Sequence, residues 1–287
     1  MGELMKIYQL GIYEKAMPNS LTMEQKLQCA KDYGYDYMEL SVDETPEKLA
    51  RLDWTKEERK EVLDAVSRTG LPIRSMCLSG HRKYPLGSSS EETRARGLEI
   101  MEKAVVLACD LGIRMIQIAG YDVYYEPSTP QTKSYFLENL KKSVELAEKY
   151  GVILAFETME TPFLNNCKKA MRYVLEVNSP YLKVYPDIGN CTNAALTYDE
   201  DVMEDFLCAK GSVVAMHLKE TVPGKFREIE FGTGHVEFDR AVRTALDSGV
   251  RMFVTEFWDT PEHEYKEHIA YSKGFIDKVF ERVLNGH

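Results

Sequence analysis

A closed (β/α)8 barrel is the fold class this 287-residue sequence predicts, and three observations carry the prediction. Strand-like and helix-like segments alternate eight times, without a linker or a shift in composition. Four of the strand-like runs close on a side chain that can do chemistry: Glu157, Asp187, His217 and Glu256. The first three are 30 residues apart and the last follows after 39, the length of a strand plus its crossover helix. An open doubly wound sheet would need a Gly-rich phosphate turn after its first strand, and Gly11-Ile12-Tyr13-Glu14-Lys15 is not one.

In order, residues 6–13 read as strand 1 and 21–33 as a helix ended by Gly34. Strand 2 is expected over 35–41, with its helix over 56–69 stopped by Gly70. Strand 3 spans 72–79, then a loop rich in Gly, Ser and basic residues, then a helix over 91–111. Strand 4 spans 114–119 and is followed by a strongly amphipathic helix over 131–150. Strand 5 (152–157) precedes a helix over 167–177, and strand 6 (182–187) a shorter one near 199–207. Strand 7, Val-Val-Ala-Met-His-Leu-Lys-Glu over 213–220, is an apolar run that surfaces at a polar end; its helix covers 238–248. Strand 8 spans 251–257, and a long helix over 262–284 closes the chain. One barrel domain over 1–287 is the expectation, since α/β barrels of this length form single domains.

Composition narrows the function. Six scattered cysteines with no C-x-x-C pair fit free thiols in a reducing compartment. Met-Gly-Glu-Leu-Met-Lys lacks the regions of a signal peptide, and no apolar run is long enough to span a membrane, so the expectation is a cytoplasmic protein. A net charge of −10 argues against nucleic acid as partner but leaves room for a small phosphorylated substrate held by a few local cations. Hydrolysis of damaged DNA on such a scaffold would require a His-rich rim and a basic face, and the chain offers one strand-end His.

In a barrel the active site lies where the strands end. Strand 1 ends with Glu14 and Lys15, strand 2 with Glu39 and Ser41; Ser79, His81 and Arg82 follow strand 3, and Tyr121 and Asp122 follow strand 4. Buried carboxylates must be paired, hydrogen-bonded or metal-bound, so Glu157, Asp187, His217 and Glu256 together form a ligand set for a divalent cation. Mn²⁺, Mg²⁺ and Co²⁺ suit such an oxygen-rich set, and Zn²⁺ accepts it. Glu157 and Glu256, three strands apart, can face each other across a substrate as base and acid. A metal between them could polarise a carbonyl and stabilise an enediolate, which is equipment for inverting a C–H bond beside a ketone. The basic run His81-Arg82-Lys83, with Lys15, Lys219, Lys225 and Arg227, offers cations for a phosphate at the mouth. Tyr121, Tyr124 and Tyr125 either wall the pocket or cover the barrel. His235, in the Gly-Thr-Gly-His loop, reads as a turn residue, and His263, His268 and His287 as solvent-facing.

Several stretches carry a family resemblance. Gly-Ile-Tyr-Glu-Lys-Ala (11–16), Glu-Leu-Ser-Val-Asp-Glu (39–44), Arg-Leu-Asp-Trp (51–54), Ser-Met-Cys-Leu-Ser-Gly-His-Arg (75–82), Ile-Ala-Gly-Tyr-Asp-Val-Tyr-Tyr (118–125) and Tyr-Pro-Asp-Ile-Gly-Asn (185–190) occur in order. The chain resembles, over residues 7 to 258, the L-ribulose-5-phosphate (L-xylulose-5-phosphate) 3-epimerases, which are xylose-isomerase-like TIM barrels. The resemblance implies interconversion of those two phosphosugars in L-ascorbate catabolism. It also implies one divalent metal on Glu157, Asp187, His217 and Glu256, with the two glutamates as acid–base pair, and a plausible homodimer. Related free-ketose epimerases often carry a His three residues after the ligand Asp; Asn190 stands there and fits the phosphosugar branch. Substrate contacts are expected from Lys15, Ser79, His81, Arg82, Asn190, Lys219 and Lys225. The alternatives are a related sugar isomerase, a free-ketose 3-epimerase or a polyol dehydratase on the same barrel, and a sugar-phosphate-binding barrel without catalysis, which would be expected to lack one of the glutamates.

Overall fold

The computed structural model describes residues 7–286; Lys6, at the start of expected strand 1, and His287 lie outside them. In chain order the strands are β1 (Gln9–Tyr13), β2 (Tyr37–Val42), β3 (Ile73–Leu78), β4 (Met115–Ala119), β5 (Ile153–Glu157), β6 (Leu182–Tyr185), β7 (Met216–Leu218) and β8 (Met252–Thr255). The helices are α1 (Met23–Asp32), α2 (Pro46–Leu49), α3 (Lys56–Thr69), α4 (Glu91–Asp110), α5 (Pro130–Tyr150), α6 (Cys167–Val177), α7 (Ile188–Tyr198), α8 (Val202–Leu207), α9 (Phe238–Asp247) and α10 (Tyr265–Asn285). Their ends follow local chemistry. Thr22, Thr55 and Thr129 close capping boxes at the starts of α1, α3 and α5, while Gly70 and Gly151 take the left-handed conformation that stops α3 and α5.

All eight strands are parallel, in the order β6-β5-β4-β3-β2-β1-β8-β7. The barrel closes between β6 and β7 through single bridges, Val184 with Val213 and Asp187 with His217. Val184 donates to the Ser212 carbonyl at 2.9 Å and accepts from Val214 at 3.1 Å. Pro186 has no N–H for the next rung, and that gap thins the seam and shortens β7 from the expected 213–220.

Strand alternation separates two apolar layers. Leu10, Ile12, Leu40, Ile116, Phe156, Val184 and Phe253 face the helices, while Tyr13, Tyr37, Cys77, Met115, Ala155, Tyr185, Ala215 and Val254 fill the barrel. Gly11 is inward in that pattern because Tyr37 needs the room: a Cβ at residue 11 would lie 2.4 Å from the Tyr37 ring. The Tyr37 hydroxyl in turn donates to the Phe253 carbonyl at 2.9 Å. The same parity aims Glu39, Gln117, Glu157, His217 and Glu256 at the barrel's upper interior.

Two short helices were not legible in the sequence. α2 begins at Pro46 behind the Thr45 cap, and α7 begins directly after Asp187, whose carboxylate accepts from the Asn190 N–H at 2.7 Å. Asp187 therefore both bridges to His217 beyond the end of β6 and caps a helix.

Candidate active site and metal centre

Four strands deliver four side chains to one point. Glu157 is the last residue of β5, Asp187 lies two residues beyond β6, His217 is the centre of β7, and Glu256 directly follows β8. All four are buried, and each offers one ligand atom within 4.8 Å of the others. His217 Nδ1 lies 3.2 Å from Glu157 Oε1, 3.4 Å from Glu256 Oε2 and 4.0 Å from Asp187 Oδ2. Lys219 Nζ reaches Asp187 Oδ2 at 2.8 Å and Glu256 Oε2 at 3.4 Å. Neither oxygen completes a properly directed hydrogen bond, although both are buried. Three carboxylates and one imidazole nitrogen, two of the oxygens left without a hydrogen bond, fit a divalent cation by charge, donor type and spacing.

Charge crowding divides these groups. Burial, reinforced by Glu256, raises the Glu157 carboxyl, and burial holds Asp187 well above the usual carboxylate range despite Lys219. Burial also opposes ionisation of Glu256, but Lys219 and His217 outweigh it and hold Glu256 well below that range. Burial disfavours the His217 imidazolium, yet Glu39 and Glu256 overcome it and raise that ring well above its ordinary value.

Further partners hold the cluster from beneath. Gln117, inward on β4, donates its amide to Glu157 Oε2. The Thr158 hydroxyl accepts from the Asp187 N–H at 3.0 Å. Glu39 Oε1 lies 2.7 Å from His217 Nε2, and Glu39 Oε2 accepts from Ser75 at 2.6 Å and Tyr185 at 2.9 Å. The sequence marks Glu39 only as a strand-end residue and does not single out Gln117 or Tyr185. The available signal was a polar residue at inward parity in an apolar strand, as in Met-Ile-Gln-Ile-Ala.

Above the cluster, a cavity of about 40 Å³ is lined by Lys15, Ser79, Arg82, Asn190, Lys219 and Trp258, among others, with Glu157 and Glu256 at its floor. Through Lys219, Glu256 and Trp258 it adjoins a cavity of about 260 Å³ that Lys225, His263 and His268 also line. Of the residues expected to touch substrate, Lys15 pairs with Asp43 at the rim. Arg82 lies over the rings of Tyr124 and Tyr121, at 4.9 and 5.9 Å, and its Nε has no partner. Asn190 donates Nδ2 to the Thr158 carbonyl at 2.7 Å, leaving its buried Oδ1 unpartnered. Lys219 sits among the carboxylates rather than at the rim. His81 does not line this cavity: it is buried, with Nε2 3.0 Å from the Gly97 carbonyl. His235 bonds the Thr221 hydroxyl at 2.9 Å, and the loop around it wraps Glu220, which accepts from Gly232 and Val236. Tyr121 and Tyr124 both donate to Glu160, itself part of the cavity wall.

Comparisons with known proteins agree with this architecture. The family profile described as a xylose isomerase-like TIM barrel matches residues 27–275. The L-ribulose-5-phosphate 3-epimerase UlaE of Escherichia coli O139:H28 is 43% identical over 274 residues, 95% of each chain. A putative L-ribulose-5-phosphate 3-epimerase UlaE of Shigella dysenteriae serotype 1 matches equally, at 43% over 95% of each chain. Among solved structures, an L-ribulose 3-epimerase superposes with a TM-score of 0.77 at 19% identity, covering 97% of this chain and 96% of its own. A D-tagatose 3-epimerase-like protein reaches 0.80 at 16% identity, covering 97% and 99%. Among the described residues no helix is long and apolar enough to cross a membrane.

Proposed function

This chain belongs to the L-ribulose-5-phosphate 3-epimerase family of xylose isomerase-like TIM barrels, and on that premise we propose that it interconverts L-ribulose 5-phosphate and L-xylulose 5-phosphate. The observation that carries the reading is the meeting of Glu157 and Glu256, from strands three places apart, with Asp187 and His217 under a cation-lined cavity. One of the two glutamates removes the proton at C3, and the electron pair moves toward C2 to give an enediolate. The other returns a proton to the opposite face; which one starts depends on the direction of reaction.

A divalent cation (Mn²⁺, Co²⁺, Mg²⁺ or Zn²⁺) held by Glu157, Asp187, His217 and Glu256 would draw electron density from the C2 carbonyl and acidify the C3–H bond. Gln117 keeps the Glu157 carboxylate in place, while Glu256 is held by charge alone at Oε2, opposite Lys219. Lys15 and Arg82 supply the positive charge for the phosphate, with Lys225 in the adjoining cavity. Ser79 and Asn190 meet sugar hydroxyls, Asn190 as an acceptor through its free Oδ1. We place the reaction in cytoplasmic L-ascorbate catabolism, in one barrel domain that pairs as a homodimer.

The test is proton NMR of L-xylulose 5-phosphate with metal-loaded enzyme in deuterated water, against a chelated control. Metal-dependent appearance of L-ribulose 5-phosphate carrying deuterium at C3 is expected. Neither product nor exchange with any of the four metals would reduce the cluster to a binding site and remove the substrate assignment.

A further inference from the structure

The cation site is lopsided: His217 has two ring nitrogens, and only one faces the carboxylates that would share a metal with it. The other, Nε2, faces Glu39 Oε1 at 2.7 Å. Glu39 is fully buried, and each hydrogen bond to its carboxylate comes from a different strand. Ser75 on β3 and Tyr185 on β6 both donate to Oε2, so Oε1 is left for His217 on β7. A carboxylate only accepts, so the contact requires a proton on Nε2; a ring that gives up its other proton to a metal then carries its lone pair on Nδ1. Nδ1 is the nitrogen 3.2 to 4.0 Å from Glu157, Glu256 and Asp187.

The backbone is shaped to make this contact. Glu39 pairs with Ser75 and Met38 with Ile73, so Arg74 is an extra residue in β3. That bulge brings the Ser75 hydroxyl level with Glu39. The Tyr185 ring lies 4.7 Å from the His217 ring, edge to face, and limits its rotation while its hydroxyl holds Glu39. Three inward side chains from three strands, Glu39, Ser75 and Tyr185, thus converge on the orientation of one imidazole.

We propose that Glu39 is a positioning residue for the metal site: it fixes the Nε2–H tautomer of His217 so that Nδ1 is the ligand atom. The inference rests on the metal-dependent reading above and adds to it a residue that touches neither metal nor substrate. Such a carboxylate partner, when lost, typically weakens metal binding 10- to 100-fold.

The experiment uses metal-stripped full-length enzyme, with zinc affinity measured by competition against a chelating dye for wild type, Glu39→Gln and Glu39→Leu. Glu39→Gln keeps one acceptor oxygen and loses the charge, so zinc binding weakens in the order wild type, Gln, Leu, reaching about 10- to 100-fold for Leu. Long-range proton–nitrogen spectra of the zinc-loaded proteins give the second readout: His217 keeps a proton on Nε2 in wild type and loses that fixed pattern in Glu39→Leu. A merely structural Glu39 would lower thermal stability without moving either quantity. Should both Glu39 variants fail to fold, Tyr185→Phe, which strips one donor from Glu39, decides, with a several-fold loss of zinc affinity expected. Wild-type-like affinity (within twofold) and an unchanged His217 pattern in the folded variant would overturn the role of Glu39 alone. Absence of saturable zinc binding by the wild type would overturn both this inference and the metal-dependent reading beneath it.

Discussion

Replacing Glu14 by Gln should destabilise the protein by about 4 kcal/mol. Glu14 directly follows β1 and is fully buried. Its carboxylate meets Lys26 at 2.8 Å, Lys48 at 2.7 Å and Arg51 at 2.5 and 2.7 Å, and it accepts from the Ser41 N–H at 2.9 Å. One anion thus compensates three cations that are themselves largely buried. Removing one partner of a buried ion pair costs about 3–5 kcal/mol, because the remaining charge stays desolvated. The stranded charge here exceeds a single pair, but Lys48 has an escape. Burial already lowers its ammonium to about 8, against the attraction of Glu14, so without Glu14 it sheds its proton near neutrality. That relief keeps the cost near 4 kcal/mol, or roughly 10 °C in melting temperature for a chain of this size. The sign of the pH dependence follows. Lys48 binds fewer protons folded than unfolded, so its penalty is present below pH 8 and fades as pH rises toward the unfolded value. In Glu14→Gln that relief starts at lower pH, so the gap to wild type narrows as pH rises toward 8. Melting curves at pH 6.5 and 8.5 measure it, and Glu14→Gln/Lys48→Met should recover at least ~1 kcal/mol relative to the sum of the single changes. A melting temperature within about 3 °C of wild type would refute the argument.

Glu157→Gln and Glu256→Gln should each lower turnover by a factor on the order of 10³ or more while melting within a few degrees of wild type; near-normal rates in either would remove the two-glutamate mechanism. Gly11→Ala drives a methyl into the Tyr37 ring, 2.4 Å away, and should cost about 1–3 kcal/mol in denaturant unfolding, with Tyr37→Leu in the same chain restoring part of it. An unaffected midpoint would show that the ring yields freely. Burial lowers the His81 imidazole from its ordinary 6.5 to about 4, the bond to Gly97 opposing. Folding therefore excludes a proton that the unfolded chain takes up, and stability is lost as pH falls from about 6.5 to 4, by about 2–3 kcal/mol at pH 4.5. Denaturant midpoints at pH 7 and 4.5 should show a smaller drop in His81→Gln than in wild type; equal drops would place the acid sensitivity elsewhere.

What the sequence made legible depends on how local each signal is. The barrel and its metal ligands are written in short segments: an apolar run, a reactive side chain at its end, and a crossover of nearly constant length. Glu157, Asp187, His217 and Glu256 need only strand parity to converge. The helix after Asp187 was hidden because Ile-Gly-Asn-Cys-Thr-Asn is rich in loop formers, and only the Asp187 cap makes it helical. The destination of Lys219 was hidden for another reason. Rim lysine and buried counter-ion share the same sequence position, and the choice rests on two carboxylates from other strands.

The Glu39–His217 contact lies furthest from any local pattern, joining residues 178 apart across the barrel. Its cue, a carboxylate at inward parity in Tyr-Met-Glu-Leu-Ser, is as compatible with an ion pair as with a ligand. Only the closed barrel decides between them, because its curvature brings β2 within reach of β7, three strands away, and supplies the Ser75 and Tyr185 hydroxyls that satisfy the remaining oxygen. The same closure is weakest where β6 meets β7, at the Asp187–His217 bridge. Two of the four ligands therefore sit on the seam with the fewest backbone bonds, and their spacing depends on the side chains around them. A cation shared by Asp187 and His217 would cross-link that seam, so binding energy at the site becomes folding energy for the barrel. Zinc should raise the melting temperature of wild type more than that of Glu39→Leu, a difference that calorimetry on matched metal-free and loaded samples would read directly.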